Sequence, residues 1–329
     1  MHVRTYSGML FAVVLVATLV TWNAAAPAQG AQQQPQGQEK PQEPIRVNVT
    51  LVNLFATVRD HNRRIVPNLT KDDFRVLEDG TEQKIATFSH ETALPITLGL
   101  LIDTSGSEEA MLGAEQEAAS RFLQRVLRKG DEAMVMSFDL DVDLLADFTD
   151  DRGILERAIH RAKINTGGGG LTPGPIPQRG SKGTNLYDAV YLACREKLGS
   201  EAGRKAIVLL TDAEDNGSKV RLEEAIEAAQ RTDTVIHVLL IGDRWHYGTD
   251  PGVGNKMANE TGGRMIEVSS EKKLEEAFDQ ISEELRSQYT LGYYPSNAAR
   301  DGGFRKIKAE TPGKELKVLT RRGYYAPKG

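Results

Sequence analysis

The chain has 329 residues, of which 40% are hydrophobic and 26% charged, with a formal net charge of -5, a profile of a globular protein long enough for about two domains. The acidic balance and the lack of any Lys/Arg block argue against a nucleic-acid surface. Cys194 is the only cysteine, so an intramolecular disulfide is excluded in any compartment.

The N terminus has the form of an export signal, with Arg4 in a short basic region, an apolar core over residues 9–20, and Ala26-Pro27-Ala28 as an Ala-x-Ala cleavage site. That core is short for a bilayer crossing. Residues 1–28 are therefore expected to be a signal peptide cleaved after Ala28, leaving no stable membrane span and an exported product, periplasmic or extracellular. No cysteine lies near the site, which removes the residue a bacterial lipoprotein would need for its lipid. Residues 29–44, rich in Gln, Pro and Glu, are expected to be a disordered linker.

From residue 45 to 92 the pattern is one of short strands. Residues 45–52 alternate, 54–58 continue them, and Asp60-His61-Asn62-Arg63 is a turn. Residues 72–80 read as a strand whose Asp79-Gly80 turn leads into another over 83–88. About four strands are too few to close a core. The missing ones lie at the other end, over 289–294, 304–309 and 316–325, separated by Gly, Pro and Asp. The expectation is a discontinuous antiparallel β-sandwich with halves 45–92 and 288–327, and residues 93–287 inserted between them.

Within the insert, strands and helices alternate, which predicts an α/β domain with a doubly wound, mainly parallel sheet flanked by helices. Residues 115–127 are amphipathic, with Ala118, Phe122 and Val126 at helical spacing. A strand follows over 133–138, a helix over 154–162, a helix over 222–229, strands over 235–241 and 265–268, and a closing helix over 274–285. Cys194, on the helical run after Thr184, is expected to pack as a small buried apolar side chain. The Gly- and Pro-rich loop 166–183 either shapes a partner surface or is a tolerated insertion. Residues 243–253, with Trp245, His246 and Tyr247, would form a second part of that rim.

The chemistry concentrates in three segments. Asp103-Thr104-Ser105-Gly106-Ser107 stands at the carboxyl end of the apolar run 96–102. Gly183-Thr184-Asn185 opens a helical pattern, and residues 206–211 form a second apolar strand ending at Asp212. Strand ends of this kind converge on one crevice in a doubly wound sheet, which would bring Asp103, Ser105, Ser107, Thr184 and Asp212 together. The set offers only hydroxyl and carboxylate oxygens, the donors of a hard cation. Mg2+ suits a site with few direct protein ligands, with Mn2+ or Ca2+ as alternatives.

Ser and Asp before a helix are also ordinary N-caps, so the first segment alone is weak and its context carries the reading. Asp215 and Asn216 read as a turn. Gly167 to Gly170 lack the Gly-Lys-Ser/Thr of a phosphate loop. Asp139-Leu140-Asp141-Val142-Asp143 lacks the Gly and Glu of an EF-hand loop and reads as a surface turn.

At these residues the chain resembles the von Willebrand factor A (VWA) family, whose metal-ion-dependent adhesion site has the pattern Asp-x-Ser-x-Ser, then Thr, then Asp. All five positions match. The resemblance implies that Ser105, Ser107 and Thr184 approach the metal by their hydroxyls, that Asp103 and Asp212 act largely through waters, and that a partner's Glu or Asp completes the coordination. Neutral hydroxyls offset little of a dication's charge, which leaves it attractive to an incoming carboxylate.

The wider layout over residues 45–327, with Asp73-Phe74-Arg75-Val76-Leu77-Glu78-Asp79-Gly80 ahead of the insert and Tyr289-Thr290-Leu291-Gly292-Tyr293-Tyr294-Pro295 and Arg322-Gly323-Tyr324-Tyr325 after it, resembles the VWFA-related proteins common in Acidobacteria. The expected function is a non-enzymatic, exported adhesion or envelope-assembly module that binds a protein carboxylate through Mg2+. The alternatives are a metal-dependent hydrolase and a structural envelope protein with a vestigial site. Against the hydrolase, no His stands within the motif, and Asp103-Thr104-Ser105 replaces the Asp-x-Asp of haloacid-dehalogenase phosphatases.

Overall fold

The computed structural model describes residues 51–91, 94–164, 183–242, 248–313 and 315–329. The expected signal peptide and linker, the run 45–50, nearly all of the loop 166–183, and Trp245, His246 and Tyr247 lie outside these. All the described residues fall in one compact unit.

In chain order the elements are β1 (Val52–Arg59), β2 (Arg75–Glu78), β3 (Thr81–Gln83), β4 (Ile85–Glu91), β5 (Ile96–Asp103), α1 (Leu112–Val126), β6 (Glu132–Phe138), β7 (Val142–Thr149), α2 (Arg152–Ile159), α3 (Leu186–Leu192), β8 (Arg204–Thr211), α4 (Leu222–Arg231), β9 (Thr234–Ile241), α5 (Pro251–Thr261), β10 (Met265–Val268), α6 (Glu271–Arg286), β11 (Gln288–Tyr293), β12 (Phe304–Glu310), β13 (Lys317–Leu319) and β14 (Gly323–Tyr325).

The unbroken apolar runs become the centre of a six-stranded sheet of order β10-β9-β8-β5-β6-β7, parallel throughout except at the β6–β7 edge. Side chains of a strand alternate between faces, and both faces are covered here. Leu98, Leu100, Ile102, Val208 and Leu210 pack with α1, α2 and α6. Leu101, Ile207 and Leu209 pack with α3, α4 and α5. Burial on both sides is why these strands carry continuous apolar runs rather than alternation, and it confirms the doubly wound α/β class.

The remaining strands form two four-stranded antiparallel sheets, β13-β1-β11-β4 and β14-β12-β2-β3. Both mix strands from the two ends of the described chain: β11 lies between β1 and β4, and β12 between β14 and β2. They share one core that includes Leu54, Phe74, Val76, Tyr289, Leu291, Tyr293 and Ile307. The Tyr289 ring lies 5.2 Å from Phe74 and 5.9 Å from Phe88. Buried Glu78 accepts from the Tyr293 hydroxyl at 2.7 Å and the Tyr324 hydroxyl at 3.0 Å, so one carboxylate satisfies polar groups from β11 and β14 inside an apolar core.

Where this core meets the α/β layer, Glu284 of α6 is 1% exposed. Its Oε1 accepts from Arg59 of β1 and, at 2.7 Å, from Arg264. His237 Nδ1 of β9 lies 3.8 Å from Oε2. Buried Arg204 donates to the carbonyls of Leu285 and Leu94, each at 2.6 Å. Gly262 ends α5 in the left-handed conformation at φ 89°, and the space a Cβ would need there is taken by the backbone of Thr320 and Arg321.

Several expectations change. Residues 72–80 are not one strand: Lys71–Asp73 is a 3-10 turn, in which Asp73 Oδ2 accepts from the Thr70 N–H at 2.8 Å, and only Arg75–Glu78 is extended. Residues 316–325 split between the two antiparallel sheets, β13 pairing with β1 and β14 with β12. Asp139 to Asp141 turn as expected, with Asp139 N–H donating to the Asp141 carbonyl at 3.0 Å, but Val142 and Asp143 already belong to β7. Helix α5 occupies part of what reads as a rim loop. No helix among the described residues is long and apolar enough to cross a membrane.

Candidate metal centre

Strand β5 has β6 on one side and β8 on the other. The chain leaves β5 outward through β6 and β7, then returns to the opposite flank at β8 and continues through β9 and β10. Loops leaving the carboxyl ends of β5 and β8 therefore diverge, and a crevice opens between them. Asp103 is the last residue of β5, and Asp212 follows the last residue of β8.

Asp103 is fully buried. Its Oδ1 accepts from the Ser105 N–H at 2.9 Å and its Oδ2 from the Thr211 hydroxyl at 2.6 Å. The Ser105 and Ser107 hydroxyl oxygens lie 3.0 Å apart, and Ser107 donates to Asp212 Oδ2 at 2.7 Å. Asp212 Oδ1 accepts from the Glu214 N–H at 2.9 Å. The turn that aims Asp212 is strained: Ala213 sits at φ 64°, a region that costs a non-glycine residue about 1 kcal/mol or more, and its N–H donates to the Thr211 hydroxyl at 3.0 Å. Four of the five expected residues are thus in one hydrogen-bonded set.

Thr184 is the fifth. It is buried, and its carbonyl accepts from the N–H groups of Asn216 and Gly217 at 3.1 and 3.2 Å. This pins the entry to α3 against the loop that follows Asp212, with no hydroxyl bond tying Thr184 to the other four. Asp215 serves α3, accepting from the Tyr187 N–H at 3.1 Å and the Ser218 hydroxyl at 2.6 Å. Cys194 lies fully buried beyond α3, and burial pushes its thiol up to about 12.

Sequence reasoning missed two members. Glu108 closes the 3-10 turn Gly106–Glu108 and is 2% exposed. Oxygens of Asp103, Glu108 and Asp212 all lie within 4.8 Å of one another. Beside Glu108 is Glu115 of α1, fully buried, with neither carboxylate oxygen hydrogen-bonded to a donor. The available signal was Glu115 itself, a charge on the helix face that carries Ala118, Ala119 and Phe122 into the core, where unpaired carboxylates are rarely found.

These carboxyls share one electrostatic state. Burial pushes Asp103 up to about 7, the charge of Asp212 adds to this, and hydrogen bonds from Ser105 and Thr211 oppose it. Burial raises Asp212 against the Ser107 hydrogen bond. Glu108 is raised by burial and then by Glu115, and Glu115 chiefly by burial. Among the described residues no Lys or Arg pairs with any of them. Clustered carboxyls held from water without a countercharge are costly. A hard divalent cation removes that cost, and the donors present, hydroxyls and carboxylates alone, are those it takes. The residues fit such an ion. Ser107 is only partly buried and Gly106 exposed, so the set opens to solvent on that side.

Residues 98–214 match the family model of the von Willebrand factor type A domain, a span that contains Asp103, Ser105, Ser107, Thr184 and Asp212. No curated protein matches the chain in sequence. Among solved structures, it is similar to the conserved hypothetical protein BatB from Bacteroides thetaiotaomicron, at 20% identity and TM-score 0.46, over 58% of this chain and 100% of that one. It is similar to proximal thread matrix protein 1 of the mussel byssus with a zinc-occupied MIDAS motif, at 18% identity and TM-score 0.48, over 63% of this chain and 49% of that one. A third is a von Willebrand factor type A protein from Catenulispora acidiphila, at 13% identity and TM-score 0.49, over 85% of this chain and 74% of that one.

Proposed function

We propose that this is an exported, non-enzymatic binding protein that receives an Asp or Glu carboxylate of a protein partner on a divalent cation, Mg2+ by preference. The α/β segment 93–287 acts as the binding domain, carried between two halves of a β-sandwich, in an adhesion or envelope-assembly role. Asp103, Ser105, Ser107, Thr184 and Asp212 would hold the cation. The observation that carries the reading is the chain of oxygens from Ser105 through Ser107 to Asp212, which ends at the side of the crevice open to solvent.

The residues divide the work. Asp103, fixed by the Ser105 N–H and the Thr211 hydroxyl, supplies charge from the floor and cannot turn outward without losing both bonds. Asp212 orients the Ser107 hydroxyl. Ser105 and Ser107 present neutral oxygens toward the opening, so positive charge there is only partly offset. A bound cation supplies the attraction for the partner's carboxylate.

The test is isothermal titration of the purified protein with Mg2+, Mn2+ and Ca2+, alone and with an acidic peptide, beside Asp103→Ala. Metal binding that disappears in the variant, and peptide binding that requires metal, are the expected results. Equal metal binding by both proteins, or peptide binding that ignores metal, would refute the proposal.

A further inference from the structure

Glu108 stands where the Asp-x-Ser-x-Ser pattern assigns no ligand. Its neighbours Glu109 and Ala110 are exposed, so a glutamate in this turn could meet water at little cost. Instead it is 2% exposed and brings an oxygen within 4.8 Å of both Asp103 and Asp212. A second observation points the same way. Glu115, wholly buried one turn into α1, lies against the Glu108 carboxyl, and neither of its oxygens accepts from an N–H or hydroxyl group. Packing alone would place an apolar side chain there, as α1 does at Ala118, Ala119 and Phe122.

We propose that Glu108 is a third carboxylate ligand of the cation, joining Asp103 and Asp212, so that the site carries an internal carboxylate of its own. The inference rests on the metal-binding reading above. Affinity for hard cations rises with the charge of the ligand set, so this site holds its ion without help from a partner. Glu115 is the further charge beneath it that the same cation offsets. An incoming carboxylate then meets a more fully neutralised metal and competes with Glu108 for it.

The experiment is titration of the full chain with Mn2+ alone, on the wild type, Glu108→Gln, Asp103→Ala and the exposed neighbour Glu109→Gln, with melting temperatures of the metal-free proteins. Glu108→Gln is expected to weaken Mn2+ binding by at least about tenfold, the scale of losing even an outer-shell partner. It should also raise the metal-free melting temperature, because one buried carboxylate is gone, and Glu109→Gln should change neither. Wild-type affinity in Glu108→Gln, with binding lost in Asp103→Ala, overturns this inference and leaves the metal site standing. Undiminished binding in both overturns the metal reading itself. Should Glu108→Gln not fold, Glu108→Asp keeps the charge but withdraws the oxygen by one methylene. Reduced affinity in Glu108→Asp supports the proposal, and unchanged affinity overturns it.

Discussion

Replacing Glu284 by Gln tests how the α/β layer is joined to the antiparallel sheets. Gln keeps the volume and a carbonyl oxygen, so the change is the charge. Glu284 is 1% exposed and pairs with Arg59 of β1 and Arg264, whose side chains are 8% and 17% exposed. Removing one member of a buried ion pair costs about 3–5 kcal/mol, because the remaining charge is left uncompensated. Arg59 also donates to the Arg63 carbonyl and Arg264 is partly wet, which places the expected loss near the lower end, about 3 kcal/mol. Against a total of about 5–15 kcal/mol for a folded protein, that is a large fraction.

Urea unfolding would read the loss as a lower midpoint at constant slope. Glu275→Gln is the control: its partners Arg121 and Arg125 are about half exposed, and such pairs contribute about 0–1 kcal/mol. A Glu284→Gln loss no larger than the control's would refute the reasoning and mean that water reaches the two guanidinium groups.

Two further expectations concern the same region. His237 is buried and its pKa is lowered, first by burial and then by the charges of Arg264 and Arg59, with Glu284 opposing. The unfolded chain therefore binds this proton more readily, and stability is lost as pH falls through the ordinary His value near 6.5. From pH 7 to 5.5 the wild type should lose about 1 kcal/mol relative to His237→Phe, and parallel stability curves for the two proteins would contradict it. Gly262→Ala should cost about 2–4 kcal/mol, from the positive φ together with the clash of a methyl with the 320–321 backbone; a thermal melt unchanged within a degree would argue that this approach is looser than described.

Legibility followed burial. Strands β5 and β8 were readable because both faces are covered, which forces an unbroken apolar run. The Asp79-Gly80 turn was readable because both residues take positive φ, 48° and 82°, as a tight two-residue hairpin requires. Strand β7 was not, since it lies at the sheet edge with Ala146 as its one well-buried residue. Helix α5 hid behind Gly252 and Gly254, which lower helix propensity. Gly254 is needed there by packing, because an added methyl would press on the Met265 sulfur at 2.9 Å.

The break between β13 and β14 is set by which sheet each half joins, information that no local pattern carries. At the site, Asp103, Ser105, Ser107 and Asp212 follow from a motif read at strand ends. The inward turn of Glu108 sets it beside Glu115, seven residues later, and Asp212, at the end of another strand, a juxtaposition that only the assembled crevice shows.

The placement of β11 between β1 and β4 has a kinetic consequence. These early strands pair through a partner that emerges only after the whole six-stranded layer, with Val52 opposite Tyr293. Closing so long a loop is slow relative to forming local contacts. During synthesis, β1 and β4 must wait with an unfilled lane between them, and the apolar stripe of Val52, Leu54, Ala56 and Val58 is uncovered until the segment after α6 arrives. A newly made molecule is thus held open by its own topology, and the segment after α6 acts as the bolt that shuts it.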